Sequence, residues 1–141
     1  MKKTQRGFSL IELLIVMVIL GLLAALVGPK MFGKVGTSKQ KAAKTQITMF
    51  ESALDTYRLD TGKYPATEQG MQALRIKPQG ITKWEGPYLP KDIPPDPWGN
   101  PYQYKSPGDH GPFDIISFGS DGKPGGEGED SDIVSWKNIG E

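Results

Sequence analysis

The amino-acid sequence predicts an α+β chain in which one long N-terminal helix carries a small antiparallel sheet. From Phe8 to Val27 the chain has 20 residues, of which only Ser9 and Glu12 are clearly polar. Residues 34–60 then repeat apolar side chains every three or four positions, which indicates an amphipathic helix. Short alternating segments follow among many Pro and Gly residues, and these indicate strands joined by ordered loops.

The first half of the predicted helix is long enough to cross a membrane. Twenty residues that rise about 1.5 Å each span roughly 30 Å, which is the thickness of a bilayer core. Glu12 lies inside this apolar run, where an ionised carboxylate costs on the order of 2.5–3.5 kcal/mol. Because ionisable residues in membrane segments usually have a function, a partner for Glu12 is expected.

Two simpler interpretations of the N-terminus explain less. A secretory signal peptide has an apolar region of about 7–15 residues and a small-residue cleavage site. This run is longer, and Ala24-Ala25-Leu26 is a poor cleavage site. A plain signal anchor, oriented by a basic leader that stays in the cytoplasm, explains the topology but leaves Glu12 without a partner.

Residues 6–13, with the sequence RGFSLIEL, resemble the leader junction of the type IV pilin superfamily. The resemblance implies that a prepilin peptidase cleaves between Gly7 and Phe8 and then N-methylates Phe8. It also implies that Glu12 of one subunit neutralises the Phe8 amine of its neighbour. Two costly buried charges would then become one pair, which would select the register of subunits in a filament.

The resemblance divides the chain into three segments. Residues 1–7 are expected to form the leader, residues 8–30 the transmembrane and filament-core helix, and residues 31–141 a globular periplasmic domain. The formal net charge is +1, and removal of the three basic side chains in the leader leaves about −2. So small a charge predicts no nucleic-acid partner. The chain has no cysteine and one histidine, so neither a disulfide nor an enzymatic acid–base cluster is expected.

The second half of the helix is predicted to pack against the rest of the chain. Gly28 and Pro29 should kink or melt one turn, because Pro lacks an N–H and crowds the preceding turn. Three lysines between residues 39 and 44 indicate either a positively charged membrane exit or a partner site. Gly62 is expected to cap the C-terminus. The predicted core face consists of Ala43, Ile47, Phe50, Leu54 and Tyr57.

The remainder of the chain predicts short elements in an aromatic-rich frame. Thr67 should cap a short helix that ends at Leu74, with Met71 and Leu74 facing the core. Residues 96–102, with the sequence DPWGNPY, predict a turn that leads into a strand. Strands are expected over Tyr102–Tyr104, Phe113–Phe118 and Ile133–Trp136.

This order of elements is similar to the major, G-type pseudopilins of the type II secretion system, and the likeness covers essentially the whole chain. It implies a homopolymeric helical filament, the pseudopilus, that drives folded exoproteins through an outer-membrane secretin. Minor pseudopilins, the prepilin peptidase, and an inner-membrane platform with its ATPase are the implied partners. The implied precursor is a single-pass inner-membrane protein with a periplasmic C-terminal domain. The alternative is a type IV pilus subunit for adhesion or motility, which fits residues 96–102 and the missing cysteines poorly.

The C-terminal region contains a candidate metal site. Residues 121–132 include five acids and one lysine. Hard oxygen ligands on a Gly-rich loop suit Ca²⁺, although a solvated acidic loop explains the composition equally well. The pseudopilin resemblance favours Ca²⁺. Its implied ligands are the side chains of Asp121, Asp130 and Asp132 and the main-chain oxygens of Phe118 and Lys123.

Overall fold

The computed structural model describes residues 6–141, except for the side chain at position 32. Lys2 and Lys3 of the predicted leader lie outside the described residues. The chain separates into two compact units, of which the first ends at Val35 and the second runs from Gly36 to Glu141. The elements are α1 (Leu10–Thr61), β1 (Gln103–Lys105), β2 (Asp114–Ser117) and β3 (Ile133–Val134). They confirm the predicted α+β fold, with one long helix and a small antiparallel sheet.

Helix α1 continues through Gly28 and Pro29, so of the two predicted alternatives the melted turn is wrong, and the kink stays a prediction. A single proline removes only one helical hydrogen bond, and the turns on either side can keep theirs. The predicted C-terminus is confirmed at Gly62, which has φ 89° and donates its N–H to the Arg58 carbonyl at 2.7 Å. A left-handed glycine directly after the last helical residue is a common way to end a helix.

The second part of α1 forms one wall of the core. The predicted core face is confirmed, since all five of its side chains are at most 3% exposed. Aromatic pairs join this face to the loops that follow: the Phe50 and Tyr102 rings meet edge-to-face at 5.2 Å, and those of Tyr57 and Tyr88 at 5.6 Å. Such pairs add specific geometry to the burial of apolar area.

The three strands form one antiparallel sheet in the order β1-β2-β3. Tyr104 pairs with Ile115, and Ser117 pairs with Ile133. All three strands lie close to where the sequence predicted them: β1 is displaced by one residue, and β2 and β3 are shorter than predicted. Hydrogen bonding to β2 continues beyond the end of β3. Ser135 N donates to Ile115 O at 3.0 Å, and Ile115 N donates to Ser135 Oγ at 3.1 Å.

Two polar residues have partners that differ from those predicted. The short helix is a 3-10 turn, Met71–Leu74, whose N-cap is Gly70, so the prediction of Thr67 as the cap is wrong. The Thr67 hydroxyl instead donates to Ser106 O at 3.0 Å and accepts from Ser106 N at 2.9 Å. Met71 and Leu74 are buried as predicted, at 7% and 0% exposure.

Candidate functional site

The predicted cleavage position lies in a short segment before α1 that is neither helix nor strand. Gly7 is exposed, and a Cβ placed on it would have no heavy atom within 4 Å. The Phe8 side chain is 86% exposed. The described residues therefore leave the peptide bond between Gly7 and Phe8 accessible to an enzyme, which cleavage requires. The cleavage itself stays a prediction.

Glu12 has a partner in its own chain that the sequence interpretation missed. Ser9 N donates to Glu12 Oε2 at 2.9 Å, and Glu12 N donates to Ser9 Oγ at 3.2 Å. This reciprocal pair is a capping box, which satisfies two of the N–H groups left without a partner at a helix N-terminus. The Ser-x-x-Glu spacing of residues 9–12 is visible in the sequence and could have indicated it. Only Oε2 takes part, so Oε1 can accept from a second donor.

The first half of α1 exposes its apolar side chains. From Leu10 to Val27, every Leu, Ile, Val and Met side chain is at least 46% exposed. An 18-residue window of this helix has a mean hydropathy of 3.0 and no buried residue. By length and composition α1 is the one helix among the described residues that could cross a membrane, a test that a signal sequence near the N-terminus also passes.

The predicted metal-binding region forms a closed loop, residues 119–132, called here the acidic loop. Ser120 N donates to Glu129 O at 2.8 Å, and Gly125 N donates to both carboxylate oxygens of Asp132, at 3.1 and 3.0 Å. Gly119 has φ 72°, and a Cβ there would lie 2.6 Å from Glu129 O. Only glycine permits so close an approach of the two arms of the loop.

The structure does not bring the three predicted carboxylate ligands together. Asp121 is exposed and accepts from Lys123 N at 3.1 Å, whereas Asp130 and Asp132 lie on the opposite arm. Among the described residues no three acidic, histidine or cysteine side chains form a group that could hold a metal ion. The ion pairs of Arg75, Lys105 and His110 do not involve the acids of residues 121–132.

The donor chemistry of the acidic loop nevertheless fits a hard cation. Its side chains offer carboxylate oxygens, and its two arms are already joined where Gly125 meets Asp132. Ca²⁺ accepts six to eight oxygen ligands in flexible geometry, which suits the carboxylate and carbonyl oxygens of a Gly-rich loop. The roles of the Phe118 and Lys123 main-chain oxygens stay predictions.

The turn at residues 96–100 supports the first arm of the acidic loop. Asp96 is 3% exposed and accepts from Asn100 N at 2.8 Å and from Ser117 Oγ at 2.7 Å. The Asn100 side chain donates to Gly119 O at 3.0 Å, which fixes the first residue of the loop. The sequence predicted the turn but not this support, because nothing in a local pattern shows what Ser117 or Gly119 will contact.

Comparisons with known proteins agree over the whole chain. Residues 2–28 match the family described as "Prokaryotic N-terminal methylation motif", and residues 30–136 match "Type II secretion system (T2SS), protein G". The type II secretion system core protein G of Pseudomonas aeruginosa is 48% identical over 140 residues, which cover 97% of this chain and 99% of that protein. The core protein G of Vibrio cholerae is 48% identical over 137 residues, which cover 95% and 93%.

A solved structure is similar as well. It is the crystal structure of the major pseudopilin from the type 2 secretion system of enterohaemorrhagic Escherichia coli. Its TM-score is 0.65 at 38% sequence identity, and the match covers 77% of this chain and 95% of that chain.

Proposed function

This chain belongs to the type II secretion system protein G family, and we propose how its two ends serve the filament of that system. The chain is a major pseudopilin, a structural subunit and not an enzyme, as the sequence predicted. The alternative of a type IV pilus subunit is not favoured by these relatives.

The N-terminal end anchors the precursor and then joins subunits. Prepilin peptidase cleaves between Gly7 and Phe8 and methylates the new Phe8 amine. The apolar half of α1 lies in the inner membrane before assembly, with residues 31–141 in the periplasm. The observation that carries this proposal is the apolar surface from Leu10 to Val27, which the described residues of its own chain leave uncovered. Lipid covers it first, and neighbouring copies cover it in the filament.

Glu12 has two roles in this proposal. Within its chain it closes the capping box with Ser9 through Oε2. Between chains its carboxylate accepts the charged Phe8 amine of a neighbour, since an unpaired charge is costly in a membrane. The capping box fixes the start of the helix, and the ion pair fixes the register between subunits.

The assembled filament drives folded exoproteins through the outer-membrane secretin. The inner-membrane platform and its ATPase supply the work, and minor pseudopilins accompany this subunit. The clustering of five acids within residues 121–132 supports a second part of the proposal. Ca²⁺ is held there by Asp121, Asp130 and Asp132 and by main-chain oxygens of Phe118 and Lys123, and it screens the repulsion among the carboxylates.

Intact mass of filament protein tests the proposed maturation. The full-length chain is produced in a secretion-competent cell, and sheared filaments are collected. We expect a mass that lacks residues 1–7 and includes one added methyl group. Gly7→Val should retain the leader and yield no filaments, because a branched side chain stands beside the cleaved bond. Gly21→Val is the matched control for processing, since Gly21 is also open within 4 Å and lies away from the bond. Filaments built from subunits that retain residues 1–7 would contradict the proposal.

A further inference from the structure

One edge of α1 receives the C-terminal segment of the chain. Gly36, Gln40 and Lys44 follow one another at four-residue spacing, so they lie on the same side of the helix. Each contacts residues between Gly128 and Lys137, about ninety positions away in the sequence. These three residues are called here the docking edge.

Gly36 provides a notch for Glu129. Gly36 is buried, and a Cβ placed on it would lie 2.5 Å from Glu129 Oε1 and 2.6 Å from Glu129 Cγ. Glycine is a poor helix former, and at Gly36, unlike at Gly21, Gly28 and Gly33 of the same helix, the structure gives a packing reason for it. The close approach of the Glu129 side chain supplies that reason.

Gln40 and Lys44 hold the main chain on either side of β3. The Gln40 side-chain amide donates to Gly128 O at 2.5 Å and to Ser131 Oγ at 3.2 Å. The Lys44 ammonium donates to Val134 O and Lys137 O, both at 2.7 Å, and to Ser135 O at 3.2 Å. These contacts use all three of its N–H donors.

The Lys44 charge is thus held by its own chain. Neither interpretation of the lysines, as a membrane exit or as a partner site, included these contacts. Glu51, two turns further along α1, faces the same charge: burial raises the pKa of its carboxyl group, and Lys44 partly opposes that rise. Hydrogen bonds from a charged donor are stronger than those between neutral groups, so Lys44 is the strongest point of the docking edge.

We infer that the docking edge is a positioning site that clamps the second arm of the acidic loop onto α1. Its contacts at Gly128, Glu129 and Ser131 bracket Asp130 and precede Asp132 directly. A cation that needs these carboxylates binds more tightly when their arm is already held in place. By linkage, a bound cation strengthens the attachment of that arm to α1 by the same factor. This last step rests on the proposed Ca²⁺ function, whereas the clamp itself does not.

Hydrogen exchange of the mature chain, residues 8–141, in detergent micelles tests the clamp in the absence of Ca²⁺. In EGTA, Lys44→Met should make the amides of residues 128–137 exchange about tenfold faster, because the ammonium is lost while the apolar stem remains. Lys41→Met is the matched control, since Lys41 is exposed on the same helix, and it should exchange as wild type. Amides of residues 47–57 report whether the core stays folded. Equal exchange in Lys44→Met and wild type would overturn the clamp.

A second pair of variants tests the notch. Gly36→Ala should speed exchange around Glu129, and Gly36→Ala/Glu129→Ala should restore it because the obstructing side chain is removed. Gly33→Ala is the control, since a Cβ at Gly33 meets nothing within 4 Å. Failure of the double variant to restore protection would overturn the assigned contact.

Calorimetric titration with Ca²⁺ alone then tests the coupling. Lys44→Met should raise the Kd for Ca²⁺ about tenfold, within the usual range of coupling between sites, and Lys41→Met should not. If wild type binds no Ca²⁺, the proposed Ca²⁺ function is wrong, while the exchange data still decide the clamp. If both proteins bind Ca²⁺ equally although exchange differs, the coupling step is wrong.

Discussion

Residues 10–27 and 43–57 lie in the same helix and both contain many apolar side chains, yet only the second stretch is covered by the described residues of its own chain. Leu10 is 88% exposed, whereas Leu54 is fully buried. The difference shows that apolar content alone does not say what a helix packs against. An apolar surface as extensive as that of the first stretch needs cover from outside the chain.

The two stretches should therefore fail in different ways when they are changed. Substitutions in the first should block assembly and leave the fold of residues 36–141 intact. Substitutions in the second should unfold that part of the chain and affect assembly only as a consequence.

Glu12→Val should have the largest effect, a complete loss of filaments and secretion. The variant should enter the membrane at least as well as wild type because a buried charge is removed. The Phe8 amine of the neighbouring subunit would lose its proposed partner. Electron microscopy counts the filaments and so measures assembly. Thermal melting measures whether residues 36–141 stay folded. Normal filaments from Glu12→Val would show that the carboxylate is incidental.

Ser9→Ala separates the two proposed roles of Glu12. It removes the hydroxyl that accepts from Glu12 N but keeps the carboxylate, so filaments should still form. If Ser9→Ala assembles as poorly as Glu12→Val, the capping box is sufficient to explain Glu12.

Leu54→Ala should lower the free energy of unfolding by about 2–5 kcal/mol, because it leaves a cavity in the core. Leu59→Ala is the matched control on the same helix. Leu59 is 83% exposed, so its truncation should change stability by no more than about 0.5 kcal/mol. Chemical denaturation measures both variants. Comparable losses in the two would mean that the second stretch is not the core wall described above.

Removal of Ca²⁺ should destabilise the folded unit, residues 36–141, and leave the first stretch unaffected. Binding to the native state adds about 2.7 kcal/mol when the free ion exceeds its Kd a hundredfold. EGTA should therefore lower the melting temperature, and Asp121→Ala should reproduce that shift. Glu68→Ala is the control, since Glu68 is an exposed acid that lies outside the acidic loop. Identical melting in EGTA and in millimolar Ca²⁺ would remove Ca²⁺ from the proposal.

The features that the sequence predicted correctly are local or periodic. The core face of α1 follows from a spacing of three and four residues, and Gly62 ends the helix because glycine adopts positive φ without strain. The strand positions were also predicted, although β3 is only two residues long. The capping box of Ser9 and Glu12 is equally local, and the Ser-x-x-Glu spacing of residues 9–12 is its signature in the sequence.

The errors come from contacts between distant parts of the chain. Thr67 has the side chain of an N-cap, but its hydroxyl pairs with Ser106, 39 positions away. The Lys44 ammonium binds three carbonyl oxygens of the C-terminal segment, contacts that neither interpretation of the lysines included. Propensity and spacing cannot identify such partners, because they describe each residue only against its neighbours in sequence.

By itself the sequence determined the apolar run from Phe8, the RGFSLIEL junction, the amphipathic stretch and the acidic composition of residues 121–132, since each is a property of consecutive residues. Only the tertiary structure decided that Asp96 is held by Ser117 and that Gly36 receives Glu129. Those pairings depend on where the sheet and the C-terminal segment pack on α1. That placement is set by burial of the shared core, to which residues far apart in sequence contribute together.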